Sequence, residues 1–123
     1  MPQETKVDII LDDDLENRPT PKGFKRFVTG NDLRLFMLMN PMIKIGYITF
    51  DNDLGDGLPQ GYDLVKQMVF DEWHVTNINV HSANTVANRA MIQTINGAIR
   101  HGMFHADSVT SIPLKSFIEL IQK

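Results

Sequence analysis

The chain has 123 residues, of which 42% are hydrophobic and 22% are charged, and its formal net charge at pH 7 is -3. These values are typical of one globular domain, so we expect a single domain over residues 1–123. The absence of cysteine excludes disulfides, thiolate zinc sites and cysteine nucleophiles. The negative charge argues against general binding of duplex nucleic acid, because that binding depends on neutralising phosphates with basic side chains.

The first six residues are polar, and no apolar run approaches the ~20 residues that a membrane-spanning helix needs. We therefore expect a cytoplasmic protein that does not bind membranes.

Five segments have the character of strands, and four helical patterns follow or separate them. Strands are expected at residues 7–11, 24–28, 45–50, 78–80 and 108–110, where apolar and β-branched residues cluster. Helices are expected within residues 29–40, 61–72, 85–100 and 113–121, which carry apolar side chains at helical spacing. Residues 12–23 lack this periodicity and contain two prolines and a glycine, so we expect a loop there.

This alternation predicts a parallel sheet with helices on both faces, since parallel strands need crossover connections. Gly102 is expected to cap the end of the third helix. The methionines are expected to fall mostly at core positions of helices, and the residues concerned are Met37, Met39, Met42, Met68, Met91 and Met103.

Acidic residues are concentrated in two short runs, and each run follows an apolar strand. Six of the fifteen acids belong to them: Asp12, Asp13, Asp14, Asp51, Asp53 and Asp56. Ligands of open parallel sheets bind beyond the carboxyl ends of the strands, where these runs converge if the strands are neighbours. Packed carboxylates repel one another unless a cation lies among them, and their oxygens suit Mg²⁺ or Mn²⁺. The alternative is that Asp simply favours turns and helix starts.

A third polar segment, residues 81–84, follows the fourth strand and begins the longest helix. A helix N-terminus presents free N–H groups and a positive dipole, and it readily binds a phosphate. Hydroxyl, amide and guanidinium groups there would add donors, and the residues concerned are Ser82, Asn84, Asn88 and Arg89. The alternative is that Ser82 and Asn84 are ordinary helix caps and that His81 is a structural histidine.

Several motifs occur in order along the chain. They are IILDD at 9–13, RP at 18–19, TFDNDLG at 49–55, GYD at 61–63 and VHSAN at 80–84. In this order they resemble the cyclic-phosphate processing receiver-like family, over about residues 6–100. The resemblance implies an α/β fold of the receiver-like (flavodoxin-like) type. This is a three-layer sandwich with five mainly parallel strands in the order 2-1-3-4-5.

The resemblance also implies a metal-dependent phosphoesterase or binder that acts on cyclic phosphates, with a phosphate-bearing small molecule or an RNA end as its ligand. A protein is a further candidate partner. The metal, Mg²⁺ or Mn²⁺, would be held by Asp13 and Asp51 with support from Asp12, Asp14 or Asp53. His81 and Asp51 would be the catalytic residues, and His81 would move a proton. The phosphate would be bound by Ser82, Asn84, Arg89 and Arg18.

Two departures from known patterns keep other functions open. The family pattern has a histidine where this chain has Asn52, which cannot act as a general acid near neutral pH. This departure favours a non-catalytic module that binds a nucleotide or a protein through the same edge. A divergent phosphoacceptor receiver, with Asp51 as acceptor, is the third alternative. However, the lysine that receivers carry before proline is here Ile112.

Overall fold

The computed structural model describes residues 6–122, which form a five-stranded sheet and four helices. The strands are β1 (Lys6–Leu11), β2 (Phe24–Phe27), β3 (Lys44–Phe50), β4 (Val75–Val80) and β5 (Ser108–Thr110). The helices are α1 (Gly30–Met39), α2 (Gly61–Phe70), α3 (Thr85–Arg100) and α4 (Leu114–Ile121). All neighbouring strands are parallel, and their order is β2-β1-β3-β4-β5. The predicted receiver-like fold and strand order are confirmed.

The helices lie on both faces of the sheet. Because the crossovers β2–β3, β3–β4 and β4–β5 run in one direction and are right-handed, α1, α2 and α3 form one layer. Helix α4 packs on the opposite face, where the ring of Phe117 lies 5.9 Å from that of Tyr47. The connection from β1 to β2 is a loop without a helix, as predicted. Within residues 6–122, no helix is long and apolar enough to cross a membrane.

The ends of α2 and α3 share one geometry. After α3, Gly102 has a φ of 71°, which agrees with its predicted capping role. After α2 the equivalent residue is Glu72, with a φ of 54°. Its N–H and that of Trp73 donate to the carbonyls of Val69 and Met68. A left-handed backbone is unfavourable for a residue with a Cβ, so Glu72 is strained.

The prediction that the methionines lie mostly in the core is wrong for half of the six. The exposed ones are at the last residue of α1 or in the loops after α1 and α3, where helical periodicity no longer decides which side chains are covered. Met37, Met68 and Met91 are buried, whereas Met39, Met42 and Met103 are exposed.

Candidate functional site

The loops that follow β1 and β3 bring three carboxylates together at one edge of the sheet. Oxygen atoms of Asp12, Asp13 and Asp51 lie within 4.8 Å of one another. Asp12 and Asp51 are buried at the strand ends, and Asp13 is exposed. Asp53 lies outside this close group among the described residues, although it lines the same acidic cavity.

Arg18, from the loop between β1 and β2, lies between the two buried carboxylates. Its Nε donates to Asp12 Oδ2 at 2.5 Å, and its Nη2 donates to Asp51 Oδ2 at 2.9 Å. The Arg18 side chain is 29% exposed, whereas those of Asp12 and Asp51 are 0% and 3% exposed. These hydrogen bonds do not use Nη1, which leaves its two N–H groups to donate elsewhere.

The two buried carboxyl groups have opposite pKa shifts. Burial by itself would raise the pKa of Asp12, but hydrogen bonds from His81, Arg18 and the Asp14 amide outweigh it and lower that pKa to about 2. Burial, followed by the negative charge of Asp12, raises the pKa of Asp51, and Arg18 only partly opposes this increase. Asp12 is therefore the firmly ionised member of the pair, and Asp51 is the member that lacks full compensation.

His81 connects Asp12 to polar residues inside the sheet. Its Nε2 is 2.7 Å from Asp12 Oδ2, and its Nδ1 is 2.7 Å from Thr49 Oγ1. Thr49 in turn accepts a hydrogen bond from Asn79 Nδ2 at 3.1 Å. Because Thr49, Asn79 and His81 are buried, each of their polar atoms needs a protein partner.

The ionised Asp12 determines which nitrogen of His81 carries the proton, and Asn79 fixes the hydrogen bonds around Thr49. Asn79 Oδ1 accepts from the Ile112 N–H at 3.1 Å, and Asn79 Nδ2 donates to the Ile112 carbonyl at 3.0 Å, which fixes the orientation of the amide. The second hydrogen of Nδ2 then points to Thr49. Because the ionised Asp12 carboxylate can only accept, His81 donates its Nε2–H to it, and this bond orients the carboxylate. The other ring nitrogen, Nδ1, then accepts from the Thr49 hydroxyl.

Arg26 of β2 holds the loop that carries Arg18. Its Nη1 donates to the Asp12 carbonyl at 2.7 Å, its Nε donates to Thr20 Oγ1 at 2.7 Å, and its Nη2 donates to the Arg18 carbonyl. Within the same loop, hydrogen bonds from Asn17 lower the pKa of the half-buried Asp14. No motif in the sequence pointed to Arg26.

Asn52 stabilises the start of α2. Its Oδ1 accepts from the Tyr62 N–H at 3.0 Å, and its carbonyl accepts from the Gly61 N–H at 2.9 Å. A Cβ on Gly61 would lie 2.0 Å from the Asp51 carbonyl oxygen, so only glycine permits this close approach. Asn52 lines neither of the two cavities at this edge.

The four residues predicted to bind phosphate differ in burial and in the cavities that they line. Ser82 is buried, and its Oγ accepts from the Asn84 N–H at 3.0 Å. Asn84 is the N-cap of α3 and accepts from the Ala87 N–H, which matches the capping alternative. Arg89 is exposed on α3 and lines neither cavity, whereas Arg18 lines both.

Two cavities adjoin at this edge. The acidic cavity, of about 340 Å³, is lined by Asp13, Asp14, Arg18, Asp51, Asp53 and Ala83. The larger cavity, of about 800 Å³, lies between residues 17–21, the end of β4 with the start of α3, and residues 111–119. Arg18 and Ala83 belong to both walls, so the cavities are neighbours.

The donor set of the close acidic group fits a hard divalent cation. Carboxylate oxygens are the ligands that Mg²⁺ and Mn²⁺ prefer, and Asp12, Asp13 and Asp51 supply them at close range. Arg18 neutralises part of the same charge, so a cation there would compete with the guanidinium.

Comparison with known proteins identifies one family. The sequence model of the cyclic-phosphate processing receiver domain matches residues 7–97. No curated protein and no solved structure matches the chain significantly.

Proposed function

Because the chain belongs to the cyclic-phosphate processing receiver family, we propose that it binds a cyclic phosphate ester at the acidic edge with the help of Mg²⁺ or Mn²⁺. The observation that carries this proposal is the close group of Asp12, Asp13 and Asp51 beside Arg18. Carboxylates alone would repel a phosphate, and a cation among them removes that repulsion. Asp53 would add negative charge next to the cation.

The proposed reaction opens a cyclic phosphodiester. The oxygen of a water attacks phosphorus, one ring P–O bond breaks, and the leaving oxygen takes a proton, which yields a phosphomonoester and a free hydroxyl. When bound, the cation would polarise a phosphoryl oxygen. The free Nη1 group of Arg18 and the Ser82 hydroxyl would orient the phosphate.

The roles of the remaining predicted residues follow from their positions. Asn84 would order the N–H groups at the start of α3, and Arg89 would contribute only longer-range positive charge. His81 would orient Asp12 through its Nε2–H, and it would move a proton only after that bond breaks. Asp51 would act as a metal ligand.

Binding without turnover is a second candidate function. Asn52 replaces the histidine of the family pattern, and its side chain is engaged in stabilising the start of α2. Both ring nitrogens of the buried His81 have partners as well. Neither residue is therefore ready to transfer a proton in this arrangement, which favours a binding protein.

Matched Asp→Asn variants test the metal site. In thermal melts, Mg²⁺ or Mn²⁺ at about 100-fold excess over Kd should stabilise the wild type by about 2.7 kcal/mol. Asp51→Asn should abolish this effect. Asp56→Asn should retain it, because Asp56 is exposed in the same loop and belongs to neither the acidic group nor the cavities. Equal metal effects in all three proteins would contradict the proposal.

Phosphorus NMR separates the two candidate functions. Incubation of the wild type with Mg²⁺ and cyclic phosphate esters should convert the cyclic signal into that of a phosphomonoester if the protein is an enzyme. Saturable binding with no conversion would identify a binding module.

Three further expectations stay predictions. They are that the ligand is an RNA end, that a protein is a further partner, and that the protein is located in the cytoplasm.

A further inference from the structure

Apart from Arg18 and Ser82, the walls of the cavity of about 800 Å³ have no part in the function proposed so far. Most of its wall surface is apolar, although nine of its seventeen lining residues are polar or charged, among them Arg18, Lys115 and Glu119. A volume of this size is within the range of small-molecule sites, which are typically about 300–1,000 Å³ and largely apolar with a few polar groups. The principal apolar wall residues are Pro19, Pro21, Val80, Ile112, Leu114 and Ile118.

The topology explains why space exists here. One wall is the loop that replaces a helix between β1 and β2, and the opposite wall is formed by α4 and the segment before it. A helix in place of that loop would pack beside α4 on this face of the sheet. The space beside α4 thus follows from the loop connection.

Arg18 links this cavity to the acidic one. Since Arg18 and Ala83 line both, a ligand whose phosphate contacts Arg18 has its remaining part directed either to solvent or into the larger cavity. The apolar walls favour the cavity for any part that carries apolar surface. The segment 111–113 is held firmly, because Asn79 binds both the N–H and the carbonyl of Ile112.

Asn88 favours a ligand that carries a hydrogen-bond donor. Its Nδ2 donates to the Ser82 carbonyl at 2.6 Å, but its buried Oδ1 has no hydrogen-bond partner among the described residues. Asn88 belongs to the wall of the cavity. A buried acceptor without a donor is unfavourable, so an N–H or O–H of a ligand would satisfy it.

We propose that the larger cavity binds the nucleoside of a mononucleoside cyclic phosphate, with the phosphate at Arg18 and an N–H or O–H of the nucleoside donating to Asn88 Oδ1. A nucleoside combines flat apolar faces, which fit walls of proline and aliphatic side chains, with donors at its edge. This inference rests on the proposed function, because that function places the phosphate beside the acidic group.

The test compares two ligands by calorimetry in the presence of Mg²⁺. One is a 2′,3′-cyclic mononucleotide, and the other is ethylene phosphate, which has the cyclic phosphate but no nucleoside. The wild type should bind the nucleotide about 10-fold or more tightly than ethylene phosphate, because only the nucleotide fills the cavity. Equal affinities would overturn the inference and leave the proposed function intact.

Two serine variants provide the matched control. Ser111 and Ser116 are both exposed, but only Ser111 lines the cavity. Ser111→Trp should reduce nucleotide affinity to the level of ethylene phosphate without changing ethylene phosphate binding, and Ser116→Trp should change neither. Nucleotide affinity that is unaffected by Ser111→Trp would overturn the inference.

Asp51→Asn and an Asn88 variant complete the design. Asn88→Leu should weaken nucleotide binding but not ethylene phosphate binding, because it removes the acceptor. If nucleotide binding is lost in Ser111→Trp but is insensitive to Mg²⁺ and to Asp51→Asn, the proposed metal-assisted function fails while the nucleoside site stands. If neither ligand binds the wild type, both proposals fall.

Discussion

Replacing Arg18 with Met removes the guanidinium between two buried carboxylates while keeping most of the side-chain volume. Arg18 Nε is 2.5 Å from Asp12 and Nη2 is 2.9 Å from Asp51. Removing one partner of a buried ion pair costs about 3–5 kcal/mol. Because 29% of the Arg18 side chain is exposed, solvent screens part of this effect, and we expect a loss of about 2–3 kcal/mol near pH 8.

The loss should depend on pH in a definite direction. Burial and the charge of Asp12 raise the pKa of Asp51, and without Arg18 that pKa rises further. A carboxyl group whose pKa is raised by folding favours the fold in acid and loses that contribution as the pH rises through its folded value. Arg18 also helps to lower the pKa of Asp12, and this contribution disappears in acid. Arg18→Met should therefore be destabilised less near pH 4 than near pH 8.

Urea unfolding can measure these free energies through the fluorescence of Trp73, the one tryptophan, which is buried. Mg²⁺ should stabilise Arg18→Met more than the wild type, because the cation replaces the missing positive charge without competing with the guanidinium. Arg34→Met is the matched control, since Arg34 is exposed on α1 and its replacement should cost at most about 0.5 kcal/mol. An equal loss of stability in Arg18→Met at both pH values would refute the role assigned to Arg18, and so would equal stabilisation of Arg18→Met and the wild type by Mg²⁺.

Three further substitutions test the surrounding structure. Asp12→Asn should lower the unfolding free energy by about 2 kcal/mol at neutral pH, because the pKa of Asp12 is lowered from 3.8 to about 2. That difference should disappear in urea titrations as the pH falls toward 2, and a constant difference would contradict it. Thr49→Val should cost about 1–3 kcal/mol, because it leaves His81 Nδ1 and an N–H of Asn79 without partners. Nitrogen-15 NMR of the imidazole should show the wild-type proton on Nε2, and a proton on Nδ1 would refute the assigned hydrogen bonds. Glu72→Gly should raise stability by about 1 kcal/mol, because glycine adopts the positive φ without strain, and an unchanged urea midpoint would count against that strain.

The elements and their order were accessible from the sequence, because they depend on local patterns. Two kinds of pattern carried this information, and both are properties of neighbouring residues. They are the continuous apolar runs that form β1 and β3 and the helical spacing over residues 85–100. The right-handed connection rule then limits how such elements can be arranged. Because the carboxyl ends of parallel strands lie at one edge of the sheet, acids that follow neighbouring strands meet there, as Asp12 and Asp51 do.

The sequence also contained signals for two buried polar residues that were not among the predicted site residues. Thr49 and Asn79 are polar residues within apolar strands, and such residues need buried partners. Their partners could not be identified from the sequence, because each lies about 30 residues or more away along the chain. Helical periodicity likewise predicted that Met39 is buried, but this residue is exposed at the end of α1.

Only the tertiary structure decided what surrounds the acidic group. The loop over residues 12–23 has no periodicity, so the sequence could not show that it places Arg18 between two carboxylates or that Arg26 holds it there. The larger cavity depends on the distance between this loop and α4, elements that are far apart in the chain and meet only when the sheet has formed. Side-chain direction in an irregular loop depends on its tertiary contacts, whereas strands and helices follow from the repeat of their own residues.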